Sequence, residues 1–204
     1  KYAWYRAKKD ITGESKNSSY RYYLYSQWKA HEQLESVAEK AEEKGVKLKF
    51  DFPVGVHPES FEAHKNSTYL QNVQIGAPPD PNFFEGQNWG FPAPHPEKIR
   101  ENGYVNFIRA IQKQMRLASF IRVDHIMGLH RLFWIPANSS PTKGTYIQYN
   151  SNEFYAILCL ESQRKQCALF GENLGTVPSS VNKRMKKHNI GGFSVLQFSI
   201  NGLP

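Results

Sequence analysis

The sequence predicts an α/β fold built on a parallel sheet, and three observations carry that prediction. Helix-period and strand-period segments alternate along the chain, the pattern of βα units. Strands are expected at 46–52, 119–124, 167–171 and 193–199, which gives four. Two of these runs deliver a carboxylate at the following turn, Asp124 after the first and Glu172 after the second. Strand ends that open into chemistry-bearing loops are the habit of a (β/α)₈ barrel, and four strands make about half of one.

Taken in order, residues 1–19 are polar and basic and read as an entering loop. From 22 to 44, Leu24, Trp28, Leu34, Ala38 and Ala41 follow helical spacing and Gly45 supplies a stop. Trp28 is assigned to core packing. Val46, Leu48, Phe50 and Phe52 then alternate with Lys47, Lys49 and Asp51, a strand signal. The lysines sit awkwardly in a strand buried on both faces. Residues 53–96 are rich in Pro, Gly and Asn and read as a long inserted loop region, ordered by its aromatics. Phe83 and Phe84 are expected to pin that loop to the sheet.

A helix over 96–117 places Tyr104, Phe107, Ile108, Ile111 and Met115 on one face, a core stripe. After the Asp124 strand come a loop near 136–144, a helix over 152–166, the Glu172 strand and a short basic helix over 181–188. The final strand is expected over 193–200. Cys159 and Cys167 are the only cysteines and read as two buried thiols. Neither metal-site nor disulfide spacing occurs, so no metal and no cofactor is expected.

Composition is that of a globular enzyme rather than a nucleic-acid or membrane protein. The 204 residues are 40% hydrophobic and 22% charged, ordinary values for a packed domain. The net charge of +8 is spread, with small clusters at Lys8-Lys9 and Lys183-Arg184. No basic stripe interleaved with aromatics accompanies it, so no nucleic-acid partner is expected. No run approaches the ~18 apolar residues of a membrane span.

The chemistry is concentrated in Ile121-Arg122-Val123-Asp124-His125 and Gly171-Glu172-Asn173-Leu174-Gly175. In a strand, Arg122 and Asp124 point to the same side. A guanidinium at that distance favours the ionised carboxylate that a nucleophile requires. Two carboxylates on separate strand ends, one ionised and one protonated, are what a retaining glycosidase mechanism needs. Asp124 reads as the nucleophile and Glu172 as the acid/base. On these residues alone, a structural ion pair of Arg122 with Asp124 is an equally good reading.

Longer stretches favour the catalytic one. DFPVGVHPES at 51–60, GAPPDPNFFEGQNWGFP at 76–92, RENGY at 100–104, FIRVDHIMGLHRLFWIP at 120–136, ILCLES at 157–162 and LFGENLGTVP at 169–178 run in an order that strongly resembles the 4-α-glucanotransferases, or amylomaltases. The resemblance implies a single catalytic (β/α)₈ barrel domain of which residues 1–204 are an internal piece, with these strands as its third to sixth. It also implies retaining transfer of α-1,4-glucan segments between maltooligosaccharides, without metal or nucleotide, in the cytoplasm. Asp124 matches the family's nucleophile and Glu172 its acid/base. Arg122 and His125 match residues lining the site, Trp89 and Gln87 match the substrate-facing loop, and Asp51 joins the substrate-binding set. Trp89 would offer its ring to a sugar face.

Two departures from the family pattern stand out. Asn173 follows the catalytic Glu where the family often has Asp, and the third acid, in a His-Asp segment, is expected beyond Pro204. The piece by itself is therefore expected to be inactive. The rival functions are an α-glucan hydrolase of related fold and a non-catalytic glucan-binding module. Donor and acceptor lengths, the ratio of transfer to hydrolysis and oligomeric state are left open by the sequence.

Overall fold

The computed structural model describes residues 1–9, 16–65 and 67–199. Helix α1 spans Tyr2–Lys9 and α2 spans Lys16–Glu43, so the expected entering loop is helical on both sides of 10–15. The two helices pack against each other. No residue of α2 over 19–43 is buried, and Trp28 is 55% exposed. Its helical spacing was legible, but its assignment to core packing was not correct.

Strand β1 (Lys49–Phe52) follows, then α3 (Phe61–Lys65), β2 (Tyr69–Ala77) and β3 (Gln87–Pro94). Residues 53–96 are thus not one long loop. β2 and β3 pair antiparallel, with register shifts that absorb the irregular sequence. At Gly76, which faces Asn88, an added Cβ would lie 1.9 Å from the Gln87 carbonyl oxygen, so only glycine lets the strands approach there. Phe83 and Phe84, in the connection between these strands, are 51% and 82% exposed. They project from the turn instead of pinning it, because Asp80 already closes it: its carboxylate accepts the Asn82 and Phe83 N–H groups at 2.8 Å each.

The expected single helix over 96–117 is two, α4 (Pro96–Glu101) and α5 (Val105–Met115). The break falls where Gly103 and Tyr104 both take positive φ, 64° and 57°. A tyrosine tolerates this conformation poorly, but tertiary contacts hold it. Its hydroxyl donates to the Glu153 carboxylate and its ring meets Phe154 edge-on at 4.9 Å.

Strand β4 (Phe120–Val123) leads through a 3₁₀ turn at Ile126–Leu129 into β5 (Arg131–Pro136) and, after a second such turn at Pro141–Lys143, β6 (Thr145–Gln148). Helix α6 (Ser151–Lys165), β7 (Ala168–Gly171), α7 (Ser179–Lys187) and α8 (Leu196–Ser199) complete the described chain. The strand expected over 193–200 is corrected. A single parallel bridge, Phe170 to Gly191, begins a fourth strand position, and the chain then turns into α8. Ile200 lies outside the described residues.

Two sheets result. One is parallel, in the order β1-β4-β7; the other is antiparallel, in the order β3-β2-β5-β6. The parallel sheet with α5, α6 and α7 is a portion of a (β/α)₈ barrel. Ile121, Val123 and Leu169 from its strands are buried against Ile111, Met115, Tyr155, Leu158 and Met185 from the helices. β1 is the edge strand of this sheet, with Lys49 and Asp51 exposed and Phe50 and Phe52 half-buried. Edge position removes the difficulty its lysine raised, because one flank of β1 pairs with no described strand and a charged edge is a usual feature. Cys167 is buried as expected, whereas Cys159 is only half-buried, at the margin of α6.

Candidate active site

The register of the parallel sheet places the site. Asp51 on β1 pairs with Arg122 on β4, and Val123 pairs with Gly171 on β7. Residues in register on parallel strands share a face, so Asp51 and Arg122 extend side by side. The next residue on that face of the chain is Asp124. Arg122 bridges the two acids, with Nη2 2.9 Å from Asp124 Oδ1 and Nη1 3.3 Å from Asp51 Oδ2. A planar guanidinium with a fixed fork suits this double contact.

Glu172 is fastened to the end of β4 by its backbone and by its side chain. Its N–H donates to the Val123 carbonyl at 2.8 Å, and its own carbonyl accepts the Ile126 N–H at 3.0 Å. Its Oε2 accepts the His125 N–H at 3.0 Å and its Oε1 accepts the Leu174 N–H at 2.9 Å. Two local features make this possible. Gly171 has no side chain, and a Cβ there would meet Ile126 Cδ1 at 2.2 Å. His125 takes a left-handed conformation, φ 45°, which turns its N–H toward Glu172. Such a backbone is costly outside glycine, and here it occurs between the two carboxylates. Neither feature is visible in a sequence pattern.

The His125 ring packs edge-on against Trp89, with centroids 5.0 Å apart, and the Trp89 Nε1–H donates to Gln87 Oε1 at 3.2 Å. Burial pulls the His125 pKa down to about 4, helped by Arg131 and opposed by Asp124, so the ring is neutral at pH 7. All seven residues singled out from the sequence therefore join one chain of contacts: Asp51, Arg122, Asp124, His125, Glu172, Trp89 and Gln87. Trp89 is half-buried, and its ring is shared with His125.

Sequence reasoning missed Phe193. The Arg122 guanidinium lies over its ring at 5.6 Å, close enough for a cation–π attraction. Asn173 explains how Phe193 is held: its Oδ1 accepts the Phe193 N–H at 2.8 Å while its Nδ2 donates to Asn182 at 2.8 Å. An aspartate at 173 would keep the first bond and lose its own donor for the second. That is the local change in hydrogen bonding expected from this departure.

A cavity of about 240 Å³ opens beside Asp124 and His125, walled by Phe52, Val54, Phe107, Leu132 and Phe154. Neither Glu172 nor Arg122 lines it. Its surface is mostly carbon, which suits packing more than a hydroxyl-rich chain. Among the described residues, no cluster of His, Cys, Asp or Glu is placed to hold a metal ion, and no helix is long and apolar enough to cross a membrane.

A portion of a parallel barrel with paired carboxylates at adjacent strand ends is an arrangement that glycosidic-bond chemistry can use. The family model described as 4-alpha-glucanotransferase matches residues 4–202, and the chain belongs to that family. It is 34% identical over 196 residues to the 4-alpha-glucanotransferase of Haemophilus influenzae, covering 95% of this chain and 28% of that protein. With the 4-alpha-glucanotransferase of Mycobacterium tuberculosis it shares 38% identity over 180 residues, 87% of this chain and 25% of the relative. The crystal structure of amylomaltase from Corynebacterium glutamicum superposes with a TM-score of 0.88 at 33% identity, over 97% of this chain and 30% of that one. The chain thus spans between a quarter and a third of the length of these relatives.

Proposed function

We propose that this chain supplies the nucleophile and the acid/base of a retaining 4-α-glucanotransferase acting on maltooligosaccharides and α-1,4-glucans. The observation that carries the reading is the convergence of Asp124 and Glu172 from neighbouring parallel strands, joined through the His125 N–H. Family membership supports the choice of substrate. The same reading takes residues 1–204 as part of one catalytic barrel domain and assigns the protein to the cytoplasm.

Arg122 holds Asp124 Oδ1, so the attack on the anomeric carbon falls to Oδ2. That bond forms as the glycosidic C–O bond breaks, and Glu172 gives its proton to the departing oxygen. Each Glu172 oxygen already accepts one backbone N–H but keeps a second lone pair, and the proton rides on one of these. In the second half, the 4-hydroxyl of an acceptor glucan attacks the same carbon. Glu172 takes the hydroxyl proton and the Asp124 carboxylate is released. His125 is neutral at working pH, so it adds no positive charge beside the nucleophile.

The test is to incubate the full-length protein with maltotriose, without metal or nucleotide, and resolve the products. Glucose together with oligomers longer than the substrate supports transfer. Maltose and glucose alone would make it a hydrolase, and unchanged maltotriose that still binds would leave only a glucan-binding module.

A further inference from the structure

The fold gathers basic residues that are dispersed in the sequence. Helix α5 runs into β4 through Arg116–Ser119 and α6 into β7 through Gln166 and Cys167. The C-terminal ends of both helices therefore lie at the N-terminal ends of the parallel strands, the end opposite Asp124 and Glu172. There a cleft of about 630 Å³ is lined by Arg109, Lys113 and Arg116 from the α5 side and Glu161, Arg164 and Lys165 from α6, with His31 of α2 at its margin. Its lining holds five cations against one carboxylate, a formal charge of +4.

Helix-end stabilisation accounts for only part of this. Cations near a helix C-terminus are favourable, but each helix end carries only about half a negative charge. Two ends offset roughly one of the four positive charges, and Glu35, beside the cleft, offsets another through Arg116. Arg109 and Lys113 stand four residues apart on α5, where like charges repel and weaken the helix. Neither they nor Lys165 has an ion-pair partner among the described residues, whereas Arg116 is held by Glu35 at 2.7 Å and Arg164 by Glu161 at 2.8 Å. Glu161 is 2% exposed; it is buried under the cleft and anchors one guanidinium at its wall. The arrangement is two fixed guanidinia flanked by three cations with no ion-pair partner among the described residues.

We propose that this cleft is a second binding site, on the face opposite the carboxylates, for a di- or triphosphate group. The three cations without a partner among the described residues complement the negative charge of such a group. Guanidinium forks bind phosphate oxygens with two parallel hydrogen bonds. No Phe, Tyr or Trp lines the cleft, and the His31 ring at its margin is held against Arg116 and Glu35, so the phosphate chain itself is what is recognised. A neutral glucan has no use for this charge.

Calorimetric titration of the full-length protein with inorganic tripolyphosphate, and separately with ATP, tests the proposal. Both ligands are expected to bind with one site per chain, and raising salt from ~50 to ~300 mM should weaken binding at least ~10-fold through screening. The variant R109A/K113A/K165A should weaken it at least ~10-fold while circular dichroism and maltotriose turnover stay at wild-type levels, since these side chains lie on the face away from the carboxylates. K183A/K186A/K187A on α7 removes the same charge elsewhere and should leave binding unchanged. Tripolyphosphate binding as tightly as ATP assigns recognition to the phosphates, whereas ATP alone binding would overturn that. Absence of heat with either ligand, or equal loss in the two triple variants, would also overturn the site. Failure of glucan transfer in the wild type bears on the catalytic reading and not on this one.

Discussion

The two sheets of this molecule do different work and reveal themselves differently. The parallel sheet β1-β4-β7 is regular, and its register alone brings Asp51, Arg122 and the exits to Asp124 and Glu172 onto neighbouring positions. The antiparallel sheet β3-β2-β5-β6 is irregular, interrupted by register shifts and by Pro92 and Pro94 within β3. It carries no acid of the site, yet it delivers Trp89 against His125. The first sheet places the two carboxylates proposed to react, and the second braces the turn that joins them.

The comparison is broken most severely by removing the reacting groups. Asp124→Asn in the full-length protein should lower transfer by at least ~10⁴-fold, because an amide cannot form the ester intermediate. Melting temperature should stay near wild type, since Asp124 is partly exposed and its main partner, Arg122, keeps Asp51. Ordinary turnover by this variant would dismiss Asp124 as nucleophile. Glu172→Gln should cost about 10²–10⁴-fold. It should be partly rescued by an α-glucosyl fluoride donor, whose leaving group needs no proton; a natural donor and the fluoride losing rate equally would remove Glu172 from the acid role.

A pair of glycines separates placing from bracing. Gly171→Ala drives a Cβ to within 2.2 Å of Ile126 Cδ1, at the joint that sets Glu172 on β4. Overpacking of this kind costs about 1–3 kcal/mol, and here both stability and kcat should fall. Gly76→Ala meets the Gln87 backbone oxygen at 1.9 Å in the other sheet. It should lower stability by a similar or greater amount while kcat falls less, because β3 reaches the carboxylates indirectly, through Trp89 and His125. Equal kcat losses in the two variants would erase the distinction between the sheets.

What the sequence disclosed divides along the same line. Helix α6 and strands β4 and β7 were legible because period and burial agree: Ile121, Val123 and Leu169 alternate, and Phe154, Tyr155 and Leu158 fall on one helical face. Strands β2 and β3 were hidden, since Gly76, Gly90, Pro92 and Pro94 mimic loop composition while tolerating a bulged edge pairing. Helix α2 shows the converse, with clear helical spacing at Leu24, Trp28 and Leu34 on a face that is exposed. Periodicity reports which side is apolar, not what covers it. For the candidate site, Arg122-x-Asp124, Glu172 and the family resemblance singled out residues that the structure brings together. The left-handed turn at His125 and the guanidinium contact with Phe193 are products of tertiary placement and leave no local signature.

The smallest expected effect concerns that turn. His125 is half-buried with its pKa lowered to about 4, below the ordinary 6.5, so the unfolded chain takes up its proton first as pH falls. The neutral ring therefore contributes stability that is fully present above pH ~6.5 and is lost progressively as pH falls toward ~4. Trp89→Ala removes the edge-on contact and opens the ring to water, which relieves the burial that depresses the pKa. In this variant the His125 titration, followed by NMR of the imidazole carbons, should move up toward 6.5, and the destabilisation between pH 6.5 and 4 should shrink. An aromatic contact of this type contributes about 1 kcal/mol, so a modest loss of melting temperature at pH 7 should accompany a rise in KM. A KM rise without any movement of the His125 titration would mean that Trp89 acts on the sugar alone. A titration that shifts while KM stays fixed would make Trp89 wholly a brace for the turn, with the antiparallel sheet contributing to catalysis only through the geometry of His125.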